Sequence, residues 1–209
     1  MTVPSPLNRL PPHALRHGVL PADEHAALLE WTLANEAALA PSVTTGAGAD
    51  PQLRRARSLY GDAPWKAPMG ERILALVPGL VAELGMVPFE IERLEIEMVA
   101  YPDGGFIDRH FDTATRGTRH PHDRVVSVVY YFHREPKPYR GGELRLLPRV
   151  PLPGGPSHVD IVPEQNSLVA FPSWAIHEVL PVSSPSGRFE DSRFAINFWV
   201  LRARRGGQQ

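Results

Sequence analysis

The chain has 209 residues, a formal net charge of −1, and ordinary shares of hydrophobic (43%) and charged (22%) residues, which fit one domain of moderate size with a hydrophobic core. A charge this close to zero gives no general attraction to nucleic acid or to an anionic membrane, and no run of about 20 apolar residues predicts a membrane span. The sequence contains no cysteine, which excludes disulfides, zinc–thiolate sites and thiol nucleophiles and limits any metal to histidine, carboxylate and water ligands. The N-terminus has no signal-peptide pattern, so we expect a cytoplasmic protein.

The first third of the chain predicts two helices separated by a turn-rich segment. Residues 22–39 carry a helical apolar pattern, and a second helix is predicted over residues 69–84, where Pro78 is expected to kink or split it. The segment between them, residues 41–68, includes a basic group made of Arg54, Arg55 and Arg57. A solvated loop and a mobile lid that contacts substrate are both compatible with this pattern.

From residue 93 onward the pattern changes to short strands. RLEIEMVAY (93–101) alternates apolar and polar residues as a half-buried strand does, and VVSVVYYF (125–132) fits a strand covered on both faces. Further strand-like runs are separated by Gly, Pro and Ser turns: ELRLLP, HVDIVP, SLVAFP and RFAINFWV. Helices followed by about seven or eight short strands predict a mainly β fold with supporting α, in which an antiparallel double sheet carries the helices. We expect a single domain over residues 1–209, with a helical support in 1–90 and a strand core in 91–202.

The segment RHFD contains two metal-ligand residue types two positions apart. His110 and Asp112 would point to the same side of a strand or strand end. His177, 65 residues after Asp112 (177 − 112), lies in an apolar strand-like run and could supply a third ligand. Two histidines and one carboxylate that leave one face of the ion open are the ligand set of non-haem Fe(II) oxygenases. A hydrogen-bonded structural pair and a buried core histidine are the alternatives for these residues.

Four other histidines are interpreted as structural or exposed. His120 and His122 also lie two positions apart, but Pro121 between them and their polar neighbours indicate a surface loop. His133 and His158 are likewise given no metal role.

Taken together, residues 95–201 resemble the catalytic core of the 2-oxoglutarate- and Fe(II)-dependent dioxygenases, in the prolyl 4-hydroxylase-like branch. The matching segments occur in the family's order: MVAYPDGGFIDRHFD, VVSVVYYF, YRGGELRLLP, HEVLPV and SRFAINFWV. The resemblance implies a double-stranded β-helix, or jelly roll, with iron held by His110, Asp112 and His177. It also implies Fe(II), 2-oxoglutarate and O₂ as cofactor and cosubstrates, with ascorbate as a supporting reductant.

The same resemblance implies residues that bind 2-oxoglutarate. Arg193, which opens the last predicted strand, matches the residue that pairs with the distal carboxylate, and a guanidinium binds a carboxylate through two parallel hydrogen bonds. Tyr131 matches the hydroxyl that shares this carboxylate, Tyr101 matches a pocket tyrosine, and Trp199 matches a wall aromatic; plain core packing is the alternative for all three. Arg188 competes with Arg193 because SSPSGRFEDS lengthens this region, but a strand residue has a fixed direction, so Arg193 is preferred.

The resemblance further implies hydroxylation of an unactivated C–H bond, coupled to decarboxylation of 2-oxoglutarate to succinate. The first expectation for the substrate is a prolyl residue of a protein or peptide. A hydroxylase of a free amino acid or small metabolite, and a non-catalytic metal- or 2-oxoglutarate-binding module, are the alternatives. The nucleic-acid repair branch places a second arginine six positions after the first, where this chain has Trp199, so no nucleic-acid partner is expected. Basic residues in the loops favour an acidic partner or serve only solubility: Arg54, Arg55, Arg57, Arg116, Arg119 and Arg124. No pattern indicates an oligomeric state.

Overall fold

The computed structural model describes residues 9–42, 52–113, 122–151 and 155–204. Within these ranges the chain forms two α-helices, α1 (Ala22–Ala34) and α2 (Lys66–Glu83), and two short 3₁₀ turns, Glu36–Ala38 and Phe189–Asp191. The strands are β1 (Ala14–His17), β2 (Ala40–Pro41), β3 (Arg54–Arg55), β4 (Arg57–Leu59), β5 (Arg93–Tyr101), β6 (Phe106–His110), β7 (His122–Phe132), β8 (Arg140–Gly141), β9 (Leu144–Leu147), β10 (Val159–Ile161), β11 (Ser167–Pro172), β12 (Ile176–Val179), β13 (Val182–Ser183) and β14 (Arg193–Ala203). Neither helix in the described part of the chain is long and apolar enough to span a membrane.

The strands form two main antiparallel sheets. The large sheet has the order β1-β11-β7-β14-β5-β4-β2, and the small sheet has the order β10-β9-β12-β6-β3. β8 and β13 form a separate two-stranded ribbon. The predicted mainly β double sheet is therefore confirmed.

The large sheet carries two apolar layers, because successive residues of a strand point to opposite faces. One layer packs against the helices, where Met98, Tyr130, Phe132 and Phe194 of the sheet are buried together with Leu28, Ile73 and Leu80 of the helices. The other layer faces the small sheet, where Val99, Tyr101, Tyr131 and Ala195 of the large sheet are buried together with Leu144, Leu146 and Val179 of the small sheet. The predicted packing of the helices on one sheet is confirmed, and the polar side chains of the candidate site lie between the two sheets.

Pro78 does not split the second helix. It lies inside α2, which continues through it without interruption. A proline in a helix removes one backbone hydrogen bond and crowds the preceding turn, but Ile73 and Leu80 on either side are buried against the large sheet. This packing holds the helix together across the proline. The first helix is shorter than predicted, since α1 stops at Ala34 and a 3₁₀ turn follows.

Residues 54–59 are not a simple loop, so that part of the prediction is wrong. β3 pairs with β6 of the small sheet, and β4 pairs with β5 of the large sheet. Ala56 is buried between the two short strands, so this segment joins both sheets along one edge. Strands of two or three residues are too short to show the alternation that predicts a strand.

The prediction of a surface loop at His122 is also wrong. His122 is the first residue of β7, it pairs with Ala203 of β14, and its Nδ1 lies 3.2 Å from a carboxylate oxygen of Glu92. β7 therefore begins three residues before VVSVVYYF (125–132), the run from which this strand was predicted. The remaining residues of this loop that were singled out lie outside the described residues: Arg116, Arg119 and His120.

Candidate active site

The three candidate metal ligands come together between the two sheets. His110 is the last residue of β6, Asp112 follows two residues later, and His177 lies in β12 directly opposite His110. One ligand atom from each residue lies within 4.8 Å of the other two. Nε2 of His110 is 3.8 Å from one carboxylate oxygen of Asp112, and Nε2 of His177 is 3.7 Å from the other. These separations are too long for hydrogen bonds.

Backbone carbonyls fix which nitrogen of each imidazole faces the carboxylate. Nδ1 of His110 lies 2.8 Å from the carbonyl oxygen of Asp108, and Nδ1 of His177 lies 3.0 Å from that of Ala175. A carbonyl can only accept a hydrogen bond, so each Nδ1 carries the proton and donates it. Each Nε2 is left with a free lone pair, which is the arrangement that a metal-ligating histidine uses.

Electrostatics keep these groups in their ligating forms. Burial and the neighbouring His177 lower the pKa of His110 to about 4, although Asp112 opposes the shift. Burial opposes ionisation of Asp112, but the two histidines and hydrogen bonds from Ser127 and Trp199 outweigh it and lower the pKa of this carboxyl group. The Ser127 hydroxyl donates to a carboxylate oxygen of Asp112 at 2.6 Å. Near neutral pH the cluster therefore combines an ionised carboxylate with at least one neutral imidazole.

The donor set fits an iron ion. Two imidazole nitrogens and one carboxylate oxygen on one side, with the remaining positions left to other ligands, suit Fe(II) in oxygenases. The atoms that face one another are electron-pair donors with no proton between them, so a cation stabilises their proximity. Within the described ranges, these three residues are the only group of three or more histidine or acidic side chains close enough to hold one ion. His158, for example, lies near a single acidic side chain among the described residues, that of Asp160 at 3.7 Å.

A buried arginine lies on the face of the large sheet that is turned toward the small sheet. Arg193 is 1% exposed, and its guanidinium carbon lies 4.9 Å from the ring centre of Tyr101 and 5.0 Å from that of Tyr131. Nε donates to the carbonyl oxygen of Gly142 at 2.7 Å. Nη2 of Arg193 and the hydroxyl of Tyr131 are buried without a hydrogen-bond partner among the described residues. Because a buried charge requires compensation, this group of donors fits the carboxylate of an anionic ligand.

The glycine that directly follows β8, Gly142, explains how a large side chain fits here. A Cβ atom at Gly142 would lie 2.7 Å from Cδ of Arg193, and its φ of +72° is a conformation that favours glycine. Only a residue without a side chain therefore leaves the space that Arg193 occupies.

The competing arginine has a different environment. The Arg188 side chain is 60% exposed, and its Nη2 lies 3.0 Å from a carboxylate oxygen of Asp191. Nη1 of Arg188 lies 3.0 Å from Glu190. Arg188 is thus compensated at the surface by acidic residues of its own loop, which distinguishes it from buried Arg193.

Trp199 lies beside the candidate metal ligands rather than beside Arg193. It forms a hydrogen bond with Asp112 and lies opposite Ser127 and Glu95 in the neighbouring strands. The guanidinium carbon of Arg124 lies 3.8 Å from the centre of its ring, and Arg124 also pairs with Glu95 at 2.8 Å. Trp199 therefore orients the carboxylate of Asp112 and is itself held from the outer side by Arg124.

Sequence reasoning missed a buried ion pair next to the site. Glu97 is fully buried, and its carboxylate accepts hydrogen bonds from Arg54 at 2.8 Å and from Asn197 at 3.0 Å. Arg54 is close enough that its charge contributes to the low pKa of His110. The spacing of Glu97 from Tyr101 was a usable signal, because residues four apart in a strand share a face. RLEIEMVAY was instead interpreted as a half-buried strand, with its apolar residues on the buried face.

Comparison with known proteins agrees with this arrangement. Residues 96–201 match the family model of the 2OG-Fe(II) oxygenase superfamily. The chain is 37% identical over 136 residues to an uncharacterized PKHD-type hydroxylase of Synechocystis. That match covers 63% of this chain and 44% of the relative, so it spans less than half the relative's length.

Solved prolyl hydroxylases have the same fold. A Pseudomonas putida prolyl-4-hydroxylase is 28% identical, with a TM-score of 0.64 over 92% of this chain and 94% of that one. A Trichoplax adhaerens prolyl hydroxylase, solved with a hypoxia inducible factor peptide fragment, has a TM-score of 0.65 at 20% identity over 91% of this chain and 83% of its own. At that identity the second likeness concerns the fold alone. The predicted jelly roll and the resemblance to the prolyl 4-hydroxylase-like branch are confirmed.

Proposed function

We propose that this protein hydroxylates a prolyl residue of a protein or peptide. The chain belongs to the 2OG-Fe(II) oxygenase superfamily and is thus a dioxygenase, and this family uses Fe(II), 2-oxoglutarate and O₂. Hydroxylation is coupled to conversion of 2-oxoglutarate to succinate and CO₂. The observation that carries this proposal is the pairing of two features in one interior: the His110–Asp112–His177 cluster and the buried Arg193, which has no acidic partner among the described residues.

In this proposal three residues hold the iron, and four others hold those ligands in place: Asp108, Ala175, Ser127 and Trp199. His110 and His177 bind through Nε2, since each Nδ1 is committed to a backbone carbonyl. Ser127 and Trp199 orient the Asp112 carboxylate by hydrogen bonds. Such supporting contacts set ligand geometry, and their loss commonly weakens metal binding or activity by about 10–100-fold.

Arg193 and Tyr131 bind the distal carboxylate of 2-oxoglutarate, and Tyr101 forms an adjacent wall. The two aromatic rings hold the guanidinium between them, so its direction is fixed before the ligand arrives. When bound, Fe(II) and 2-oxoglutarate supply the oxidising chemistry that replaces a substrate C–H bond by C–OH. The protein contributes orientation and a water-poor interior, because the residues around Arg193 are almost fully buried.

A peptidyl proline is the substrate that the comparisons support best. The Pseudomonas putida relative is a prolyl-4-hydroxylase and aligns with almost the whole chain, and the Trichoplax adhaerens protein was solved with a peptide fragment. A free amino acid is the alternative, and a non-catalytic binding module is the alternative outside the enzyme class. The segment Arg54–Leu59 joins both sheets, and the charge of Arg54 reaches His110, so we expect this segment to contact the substrate.

An anaerobic titration tests the cofactor assignment, and a reaction with O₂ then separates the alternatives. Metal-free protein receives Fe(II) and then 2-oxoglutarate, and we expect the weak visible charge-transfer band of an iron–2-oxoglutarate chelate. The loaded protein is then given O₂, ascorbate as reductant, and either a library of proline-containing peptides or free proline. A gain of one oxygen atom in a peptide, with equivalent succinate, supports the proposal. A product from free proline alone overturns the peptide substrate, and absence of the band from folded protein overturns the cofactor assignment.

A further inference from the structure

The hydroxyl group of Tyr139 is a buried donor with no role in the site described so far. Tyr139 is 4% exposed, and its hydroxyl oxygen is buried without a hydrogen-bond partner among the described residues. Its side chain belongs to the same apolar layer as Tyr101 and Tyr131. A buried hydroxyl without a partner costs about 1–3 kcal/mol, so its retention here calls for an acceptor that some state of the protein supplies.

Neighbouring side chains hold the Tyr139 ring in one place. The His133 ring lies nearly perpendicular to it at a centroid distance of 5.6 Å, and Nζ of Lys137 lies 4.7 Å from its centre. The residue directly precedes β8, which is tied to β13 through the pairing of Gly141 with Val182. The hydroxyl is therefore presented in a fixed direction, as a ligand-binding donor must be.

The same stretch of chain connects Tyr139 to Arg193. Gly142, three residues after Tyr139, accepts the hydrogen bond from Nε of Arg193. Burial raises the pKa of the Tyr139 hydroxyl, and the charge of Arg193 is the largest effect that opposes this rise. Burial likewise raises the pKa of Tyr131, and the charge of Arg193 opposes that rise as well. Both hydroxyls thus lie within electrostatic range of one buried guanidinium.

We propose that Tyr139 is a third donor to the distal carboxylate of 2-oxoglutarate, beside Arg193 and Tyr131. A carboxylate has about four acceptor positions, more than one arginine and one tyrosine satisfy. In a buried pocket each unfilled position is costly, so a third fixed donor adds affinity and favours ligands with a distal carboxylate. This inference rests on the proposed function, because it assumes that 2-oxoglutarate binds at Arg193.

The test is the affinity of Tyr139→Phe for 2-oxoglutarate, measured anaerobically from the charge-transfer band with Fe(II) present. Removing a hydroxyl that donates to a charged group should raise the Kd about 10–100-fold. Tyr130→Phe is the matched control. Tyr130, like Tyr139, is a buried tyrosine, but it lies in β7 and faces the helices. Its hydroxyl lies 3.0 Å from Asn166 and 2.7 Å from His25. We expect the Tyr130 variant to lose thermal stability and to keep the wild-type Kd.

A second ligand shows whether the hydroxyl acts on the carboxylate itself. 2-Oxopentanoate has the same carbon chain as 2-oxoglutarate but no distal carboxylate, and its Kd should be the same in Tyr139→Phe as in the wild type. An equal weakening for both ligands would mean that Tyr139 only shapes the pocket, which overturns the inference. An unchanged Kd for 2-oxoglutarate overturns it as well. A wild-type protein that shows no band with 2-oxoglutarate would instead overturn the proposed function.

Discussion

His110 and His177 are direct cross-strand partners on β6 and β12, and the centres of their rings lie 4.1 Å apart. Burial, together with repulsion between the two imidazoles at this distance, lowers the pKa of His110 to about 4. The pairing presents two Nε2 lone pairs toward Asp112 without any rearrangement of the backbone. The metal site is therefore a consequence of strand register, and a slip of β12 by one residue would turn His177 to the other face.

Replacing one of these histidines should abolish metal binding. His177→Gln removes one of three ligands, so we expect Fe(II) affinity to fall more than about 100-fold, beyond the usual effect of losing a supporting contact. Anaerobic titration followed by the charge-transfer band with 2-oxoglutarate measures the change. His158→Gln is the control, because His158 lies just before β10, where its ring contacts Ser157 and Asp160 and is not part of the candidate metal cluster. Wild-type iron affinity in His177→Gln would contradict the ligand assignment.

The two competing arginines can be separated in the same titration. Arg193→Met leaves the pocket without its buried cation, and we expect the Kd for 2-oxoglutarate to rise at least about 100-fold, since one charged hydrogen bond alone contributes about 1.5–3 kcal/mol. Arg188→Met should leave the Kd unchanged, because Arg188 is exposed and paired with Asp191. The reverse ranking would transfer the role to Arg188.

Much of the site could be predicted because its residues follow the periods of regular strands. His110 and Asp112 share a side because they lie two positions apart at the end of a strand. Arg193 was preferred over Arg188 because it opens a long strand, and β14 does begin at Arg193. In each case the local pattern contained the direction of the side chain.

Residues outside such patterns could not be placed from the sequence. Arg54 lies in a two-residue strand. Its ion-pair partner, Glu97, is 43 positions away in the sequence, and no local sequence pattern indicates that contact. Glu97 shares a strand face with Tyr101, but the alternation in β5 does not reveal that the small sheet covers this face. Tyr139 lies in an irregular connection, where periodicity gives no direction.

The glycine that makes room for Arg193 should be sensitive to a single methyl group. In Gly142→Ala, the new Cβ would lie 2.7 Å from Cδ of Arg193 and 3.0 Å from a methyl carbon of Val182, at a φ of +72°. We expect 2-oxoglutarate affinity to fall at least tenfold and the free energy of unfolding to fall by about 1–3 kcal/mol. Gly79→Ala in α2 is the control, because nothing lies within 4 Å of its added Cβ and alanine is the better helix former by about 1 kcal/mol. If Gly79→Ala lost stability while Gly142→Ala kept the wild-type stability and 2-oxoglutarate affinity, the assigned role of Gly142 would be contradicted.

Stability should decrease on mild acidification, in part through His133. This imidazole is 2% exposed, and burial lowers its pKa despite the hydrogen bond to the carbonyl of Arg134. The unfolded chain, with a histidine pKa of about 6.5, therefore takes up a proton before the folded one does as the pH falls. The stability that neutral His133 contributes is fully present above about pH 6.5 and is lost as the pH falls toward the folded-state pKa. The free energy of unfolding then changes by at most about 1.4 kcal/mol per pH unit.

Urea unfolding of the metal-free protein at about pH 7 and about pH 5 measures this effect. His133→Gln should lose less stability than the wild type between the two conditions, because it removes a group that titrates there. His158→Gln, at a partly exposed position, should follow the wild type. An identical pH dependence in His133→Gln and the wild type would contradict the assignment.

The buried pair Arg54–Glu97 should contribute to stability only as a pair. The Glu97 side chain is 1% exposed and that of Arg54 is 9% exposed, with Nη2 and Oε1 2.8 Å apart. Glu97→Leu leaves a buried guanidinium without its partner, so we expect a loss of about 3–5 kcal/mol in the free energy of unfolding. Arg54→Met combined with Glu97→Leu removes both charges and should recover most of that loss. The amide of Asn197, which also donates to Glu97, loses its acceptor in both variants, so the difference between them isolates the stranded charge. Equal losses in the single and double variants would mean that packing, and not the uncompensated arginine, accounts for the effect.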